Sequence, residues 1–400
     1  MATTQATSSG ACATCGKPAT THCGGCAGTD EHGFSTSTLY CSKACQTKDW
    51  SAHKQACQSL QSRKKLSRAA QLIQDFFLAI KAEVFDLNIT NVVRDEEGKL
   101  HLFEAPFGSP LQYGPAATWM DGDVDVTRAI LSYCAGGDVF ADPFFDVCVK
   151  AFSGKDSGTR AGAVGTCSLT YCTGYVTLVE EVDIRMLHSR VLLRRHCSYD
   201  KSVPTLQSVH HVICVTLKDG TSWAIDPAGN QHGQTKPFLP FAEYQRDYVA
   251  AILARHPYGA RRPCPEKLSV ERHSDKFHNH LFAYKMSENA SYVIEELEEW
   301  QVKHGSIKSI IEANLSDYER LKNMLVNHLA SAAREFTKLC EGDPTSTAKL
   351  INTTRDPDTL SEEDKQRLDR KKARTTAAMH PSQQKMLEDM QASGGTVHFL

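Results

Sequence analysis

The sequence lacks several features that would place it at once in a broad class. No stretch approaches eighteen consecutive apolar residues, the length that a helix needs to cross a bilayer. Neither sign of charge dominates, because the formal net charge is -2, so nothing global favours nucleic acid or an anionic membrane. The opening residues, MATTQATSSGA, contain neither a basic start nor an apolar signal core. We therefore expect a soluble intracellular protein, nuclear or cytoplasmic, with no membrane partner.

Cysteines are numerous, but they are not distributed as a disulfide framework would be. Seven of the fifteen lie in the first 57 residues, and the other eight are scattered over the rest of the chain. Crowding of cysteines in one short segment of an intracellular protein is typical of metal ligation. The sequence therefore predicts a small metal-binding segment at the N-terminal end.

The spacing of the cysteines and one histidine supplies enough ligands for two tetrahedral zinc sites. Two C-x2-C pairs are followed by a C-x3-C pair and an H-x3-C pair, and the eight residues are Cys12, Cys15, Cys23, Cys26, Cys41, Cys45, His53 and Cys57. A site with four protein ligands leaves no position for water or substrate, so it stabilises a fold and does not catalyse. The i, i+4 spacing of the last two pairs predicts two short helices, the second capped by Asp49.

Residues 12–57 resemble the MYND zinc finger, and YCSKACQTKDWSAHKQAC at 40–57 carries most of the resemblance. The resemblance implies that the ligand pairs interleave around two Zn²⁺ ions. One ion would take Cys12, Cys15, Cys41 and Cys45, and the other would take Cys23, Cys26, His53 and Cys57.

The resemblance also implies a function, because MYND fingers bind short proline-containing peptides of partner proteins. Gln46 and Trp50 match the positions that hold such peptides. The alternative is that Trp50 packs the finger and Gln46 is only a solvated helix residue. The leading hypothesis is therefore a zinc-binding adaptor or regulatory protein. Direct binding of nucleic acid is not expected, since the finger has few clustered arginines to contact bases.

Some MYND proteins are SET-domain lysine methyltransferases, and neither of the SET sequence motifs follows the finger here. We therefore do not expect methyltransferase activity.

A rival hypothesis places an enzyme in the middle of the chain. In VHHVICVTLKDGTSWAIDPAG, Asp219-Gly220 predicts a two-residue hairpin loop, which puts His211 and Asp226 on one face as diagonal neighbours. A three-residue loop would instead put His211 and Asp226 on opposite faces. The segment resembles the His-to-Asp hairpin of transglutaminase-like cysteine enzymes, which implies a Cys-His-Asp triad with Cys167 as the nucleophile. Cys134 and Cys172 compete for that role. The alternative is a structural histidine at the edge of the core.

The fold class expected from these patterns is multidomain. We expect a disordered tail over 1–11, the two-zinc MYND finger over 12–57 and a connecting helix over 58–90. An α+β domain with antiparallel strands should follow over 91–285, then a helical region over 286–340 and a polar linker with a basic helix over 341–400. Gly305 should separate two helices of the helical region.

Overall fold

The computed structural model describes residues 10–26, 38–85, 87–105, 122–133, 175–197, 209–258 and 292–341. Predictions for the tail at 1–9, for most of the 341–400 segment and for Cys134, Cys167 and Cys172 fall outside these residues. In the part that is described, no helix combines the length and the apolar character needed to cross a membrane.

The N-terminal finger consists of two small hairpins and the start of a helix. Strand β1 (Gly10–Ala11) pairs with β2 (Pro18–Ala19), and β3 (Thr21–His22) pairs with β4 (Leu39–Tyr40). Apart from ligand side chains, the described residues of the finger contribute only Ala19, Tyr40 and Leu60 to its buried cluster, with Leu39 partly buried. So few apolar residues make a very small core, as expected for a segment that depends on metal.

A single helix, α1 (Lys43–Glu83), carries the end of the finger and then enters the core of the protein. Ser42 caps its start, and the Ser42 hydroxyl accepts a 3.3 Å hydrogen bond from the Cys45 amide. The prediction of two short helices and a separate connecting helix was therefore wrong. Asp49 is not a cap but a mid-helix residue, and its carboxylate accepts a 2.7 Å hydrogen bond from the Tyr40 hydroxyl.

The largest sheet has five antiparallel strands in the order β11-β10-β9-β7-β12. Their bounds are β7 (Val176–Met186), β9 (His210–Leu217), β10 (Ser222–Ile225), β11 (Phe238–Pro240) and β12 (Val249–Pro257). Helix α3 (Phe241–Tyr248) connects β11 to β12, and its residues Phe241 and Tyr244 pack on one sheet face. The expected antiparallel strands in the middle of the chain are confirmed.

A smaller sheet packs beside the second half of α1. Its strands β5 (Ile89–Arg94) and β6 (Leu100–Glu104) are antiparallel, whereas β6 and β8 (Leu193–Cys197) are parallel. Helix α2 (Val124–Ser132) contributes Val126, Ala129 and Ile130 to the same hydrophobic cluster.

Within the described range 292–341 there are three helices: α4 (292–304), α5 (Ile307–Glu312) and α6 (Leu315–Glu341). Gly305, with φ of 98°, lies between α4 and α5, as expected for a residue that ends a helix in the left-handed conformation.

One hydrophobic core joins α1, the five-stranded sheet and these C-terminal helices. Its buried members include Ile73, Phe76, Val215, Trp223, Trp300, Ile310 and Leu325. In α1 the buried residues from Leu66 onwards recur every three or four positions, so one stripe of the helix faces this core. The core therefore crosses the boundaries predicted near 90 and 285, and these segments pack as one body.

Arg68 on α1 holds the junction between α5 and α6. Its Nη1 donates to the carbonyl oxygens of Ile311 and Ala313 at 2.9 and 2.7 Å, and its guanidinium lies 5.0 Å from the centre of the Tyr318 ring. The Tyr318 hydroxyl donates back to the Arg68 carbonyl at 2.7 Å.

Candidate metal centre and interaction surface

The first ligand cluster brings together Cys12, Cys15, Cys41 and Cys45. All four sulfurs lie within 4.8 Å of one another. Cys15 and Cys41 are 3.5 Å apart, as are Cys41 and Cys45, and Cys45 and Cys15 are 3.8 Å apart. The cluster is assembled from the β1–β2 turn and the start of α1, so it ties the first hairpin to the helix.

The second cluster brings together Cys23, Cys26, His53 and Cys57, again with ligand atoms within 4.8 Å. Cys23 and Cys57 sulfurs are 3.8 Å apart, and Nε2 of His53 lies 3.4 Å from the Cys26 sulfur. Its three cysteines are buried, whereas two of the four ligands in the first cluster are exposed. The two clusters have the interleaved membership that the family resemblance implies.

These distances fit zinc. A tetrahedral site with Zn–S bonds of about 2.3 Å has sulfur–sulfur edges of about 3.8 Å, and the observed separations of 3.5 and 3.8 Å lie close to that value. Thiolate sulfur with one imidazole is also the ligand set that zinc prefers. Each cluster supplies four protein ligands, so both sites are closed and structural. Two Zn²⁺ ions would be bound.

The ligands of the first cluster differ in how readily they lose a proton. A hydrogen bond with the backbone of Cys41 lowers the pKa of the Cys12 thiol to about 6. Hydrogen bonding to the Cys15 and Cys45 sulfurs raises the pKa of Cys41 to about 12. Without metal the cluster thus holds thiolate beside thiol, and zinc binding must release protons.

The second cluster also combines a thiol whose pKa is lowered with a thiol whose pKa is raised. Burial opposes ionisation of Cys23, but hydrogen bonds from His53 and from the Cys26 backbone outweigh it and lower the pKa to about 6. Burial raises the pKa of Cys57 to about 11. Gln61, one turn further along α1, donates from Nε2 to the Cys57 sulfur at 3.2 Å and supports that ligand from outside the cluster.

The residues predicted to bind peptide lie on the finger portion of α1. Trp50 is 41% exposed, and its ring meets His53 edge-on with 6.2 Å between ring centroids. Gln46, one turn earlier, is half-buried. Trp50 therefore touches a zinc ligand on one side while a large part of its indole remains accessible to a partner.

A groove of about 540 Å³ lies beside this helix, where α1, the tip of the β9–β10 hairpin and α5 meet. Lys65 forms a 2.7 Å salt bridge with Glu312 of α5, and Ser59 donates a hydrogen bond to Asp219 at the hairpin tip. These contacts fasten α1 to the rest of the protein just beyond the finger.

The hairpin of the middle region differs from the predicted one by a single residue. Ser222 pairs with Thr216 and Ile225 pairs with Ile213, so the loop contains three residues, 218–220, and ends at Gly220 with φ of 82°. This is the three-residue loop that places a glycine in the left-handed region. Each residue of β10 therefore faces a residue of β9 one position earlier in the chain than was predicted.

The shift places His210, not His211, beside Asp226. Nε2 of His210 lies 2.9 Å from Oδ2 of Asp226, which is fully buried. His211 lies on the other face, where its Nδ1 is 2.8 Å from Asp183, and His256 lies 3.1 Å from the same carboxylate. The predicted His211–Asp226 pair does not form, and Cys167 lies outside the described residues.

Asp226 is the centre of a buried polar network that the sequence reasoning missed. The Tyr244 hydroxyl donates to Oδ2 at 2.8 Å, and the Ala228 amide donates to Oδ1 at 3.2 Å. Burial alone would raise the pKa of Asp226, but its interactions with His210 and Tyr244 keep that pKa below its usual value. The adjacent His pair at 210–211 was the available signal, because one of the two must share a face with Asp226 in either register.

His232 lies at the edge of this network. Its ring meets that of His210 edge-on with 4.7 Å between centroids, and its Nδ1 is buried without a hydrogen-bond partner. Burial and the neighbouring His210 lower the pKa of His232 to about 3. His232 is therefore neutral at physiological pH.

Comparison with known protein families identifies the finger segment. The model of the MYND finger matches residues 12–57, the segment that forms both ligand clusters. No curated protein and no solved structure matches the chain. The MYND finger is a protein–protein interaction module, and this match supports an adaptor role.

Proposed function

We propose that this protein is an adaptor or regulatory protein whose finger recruits proline-containing segments of partner proteins, with Trp50 and Gln46 as the contact residues. The observation that carries the proposal is the large accessible part of Trp50 on a helix that two metal clusters hold in place. An exposed indole on a rigid support suits a proline-rich segment, because proline rings pack on aromatic faces and the extended peptide loses little entropy on binding.

Gln46 complements Trp50 chemically. It precedes Trp50 by four residues, so the two side chains lie on neighbouring positions of one helix surface. An extended proline-rich backbone has carbonyl groups without internal hydrogen bonds, and a side-chain amide can donate to them. Trp50 would supply contact area and Gln46 would fix the register.

The test uses the zinc-loaded full chain and an oriented library of nine-residue peptides with proline fixed at the central position and all other positions randomised. A matched library has alanine at that position. The proposal requires retention of the proline library above the alanine library, and equal retention would overturn it.

Variants assign the binding to the proposed surface. Trp50→Ala should abolish retention while two zinc ions per chain are kept, and Gln46→Ala should weaken it. Gln55→Ala is the matched control, because Gln55 is exposed on the same helix but about 180° around it from Gln46. An effect of Gln55→Ala equal to that of Gln46→Ala would contradict the assignment.

A second candidate function is a cysteine-dependent acyl transferase or hydrolase, supported by the bond between His210 and buried Asp226. A carboxylate that orients an imidazole is the base portion of a Cys-His-Asp triad. His210 takes the role first assigned to His211, and Cys167 is the candidate nucleophile.

Reaction with iodoacetamide, read cysteine by cysteine by mass spectrometry, tests this function. A His-activated Cys167 should react faster than an ordinary thiol and lose that excess in His210→Gln but not in His211→Gln. Ordinary reactivity of Cys167 in the wild type would exclude it as the nucleophile.

A further inference from the structure

The surface around Trp50 carries lysines on both sides. At 100° per residue, Lys43 and Lys54 point within about 40° of the direction of Trp50, one about two turns before it and the other one turn after it. Both lysines are exposed. Lys48, also exposed, points about 160° away from Trp50, on the opposite side of the helix.

These lysines form no ion pair within the part of the chain that the structure describes. Among the described residues, Lys43 and Lys54 have no carboxylate within salt-bridge distance. The acidic residue in this part of α1 is Asp49, which accepts the Tyr40 hydroxyl. Along α1, the Trp50 surface therefore has a positive charge at each end, and no acidic residue of the helix lies between them on the same side.

From this arrangement we propose that the finger selects proline-containing segments that carry an aspartate or glutamate on each side of the proline. The inference rests on the proposed function of the finger and deepens it by naming the class of partner. Carboxylates are the complementary groups for lysine ammonium ions, and complementary charge improves both selectivity and the association rate.

The helix geometry sets the spacing of the two acids. Lys43 and Lys54 are eleven residues apart, which corresponds to about 16 Å along the helix axis. An extended proline-type segment advances about 3.1 Å per residue, so it covers that distance in about five residues. Partner segments should therefore have acidic residues about five positions apart, with the proline between them contacting Trp50.

The size of the effect follows from the exposure of the lysines. An exposed charge pair changes an equilibrium constant by about twofold to fivefold, so two independent pairs together should give about fourfold to 25-fold. Because the pairs are in water, the advantage should shrink as the Debye length falls from about 10 Å at 0.1 M salt to about 3 Å at 1 M.

The oriented proline library provides the first test, with bound peptides sequenced position by position. The expected result is enrichment of Asp and Glu on both sides of the proline. The tightest member is then synthesised with Glu or with Gln at its two flanking positions, labelled with fluorescein and titrated by anisotropy. The Glu peptide should bind the wild type about fourfold to 25-fold more tightly in 0.1 M salt.

Two variants, one double and one single, separate the charge effect from the rest of the site. Lys43→Gln with Lys54→Gln should make the Glu and Gln peptides equal without weakening the Gln peptide. Lys48→Gln, the matched control, should leave the preference intact because its side chain points away. Equal loss of the preference in Lys48→Gln would show that the preference arises from the overall positive charge of the finger, and it would overturn the assignment to Lys43 and Lys54.

The remaining outcomes distinguish the two proposals. Proline-dependent binding without preference for Glu over Gln overturns the acidic-flank inference and leaves the recruitment function standing. Absence of proline-dependent binding overturns both. A preference for Glu that persists undiminished at 1 M salt also contradicts the inference, because exposed pairs must be screened.

Discussion

Removal of zinc should unfold the finger and leave the rest of the protein folded. Among the described residues of the finger, the buried ones other than ligands are Ala19, Tyr40 and Leu60, and their burial contributes about 5 kcal/mol. Ordering the twenty or so described residues that precede α1 costs at least about 20 kcal/mol in backbone entropy. Two structural zinc ions, each worth on the order of 10 kcal/mol, supply about the missing amount.

The boundary of this unfolding should lie within α1. Residues 43–57 contact the finger, whereas the large hydrophobic core begins at Leu66 and contains no finger residue. Once the ligands are released, the exposed first turns lose their only tertiary support, and the buried second half keeps its own. We therefore expect α1 to shorten from its N-terminal end.

Hydrogen exchange measured by mass spectrometry, before and after dialysis against a chelator, checks this expectation. Protection should vanish over 10–57 and persist over 66–83, and the far-UV signal should fall by about fifteen helical residues. Restoring zinc should restore both. Retained protection in the chelated finger would refute the dependence on metal, and loss of protection over 66–83 would refute the independence of the core.

Other predictions concern the core. Replacing Asp226 by Asn should lower the free energy of unfolding in urea by about 2 to 3 kcal/mol, because a charged acceptor is lost, and Tyr244→Phe should cost about 1 kcal/mol; equal costs would contradict a special role for the carboxylate. The folded pKa of His232 is about 3 and its unfolded pKa is about 6.5. Between these two pH values the unfolded state therefore binds a proton that the folded state does not bind. The stability of the chelated protein should therefore be fully present above pH 6.5 and fall by about 1.4 kcal/mol per unit below it, and His232→Asn should remove that slope. Arg68→Ala should cost about 2 to 3 kcal/mol through its lost carbonyl hydrogen bonds and its contact with Tyr318, with Arg68→Lys recovering only part; full recovery by Lys would contradict the two-carbonyl geometry.

The zinc ligands could be predicted from the sequence because their chemistry and spacing are local. Pairs such as Cys12 and Cys15 are close along the chain, and few other residue types bind zinc. The grouping of the pairs was accessible only through the family resemblance. It depends on where the hairpins meet α1, which ligand spacing does not determine.

The continuous helix could not be predicted from apolar periodicity. Between Lys43 and Cys57 the side chains that face inwards are mostly metal ligands, so the hydrophobic pattern that reveals the second half of α1 is missing from the first. The helix forms there because Ser42 caps it and the ligand clusters hold it. Neither effect leaves a trace in the hydrophobic pattern.

The hairpin error had a different origin. Asp219-Gly220 fits both a two-residue and a three-residue loop, and the choice moves every facing residue by one position. The sequence gives no local signal that decides between His210 and His211. The structure resolves the choice because Val215 shares one face of the sheet with Trp223 and Ile225, whereas Val212 shares the other face with Ala224.

Because α1 is unbroken between the finger and the core, the number of residues between them fixes the rotation of the finger relative to the core. Inserting one residue between Cys57 and Leu66 would advance the finger by about 1.5 Å and turn it by about 100°. Trp50 would then present its indole in a different direction relative to the sheet, although every zinc ligand and every core contact could remain. Four inserted residues, slightly more than one turn, would return it to within about 40° of its original direction. The length of this short segment, and not only its composition, therefore determines where a recruited partner is held on the protein.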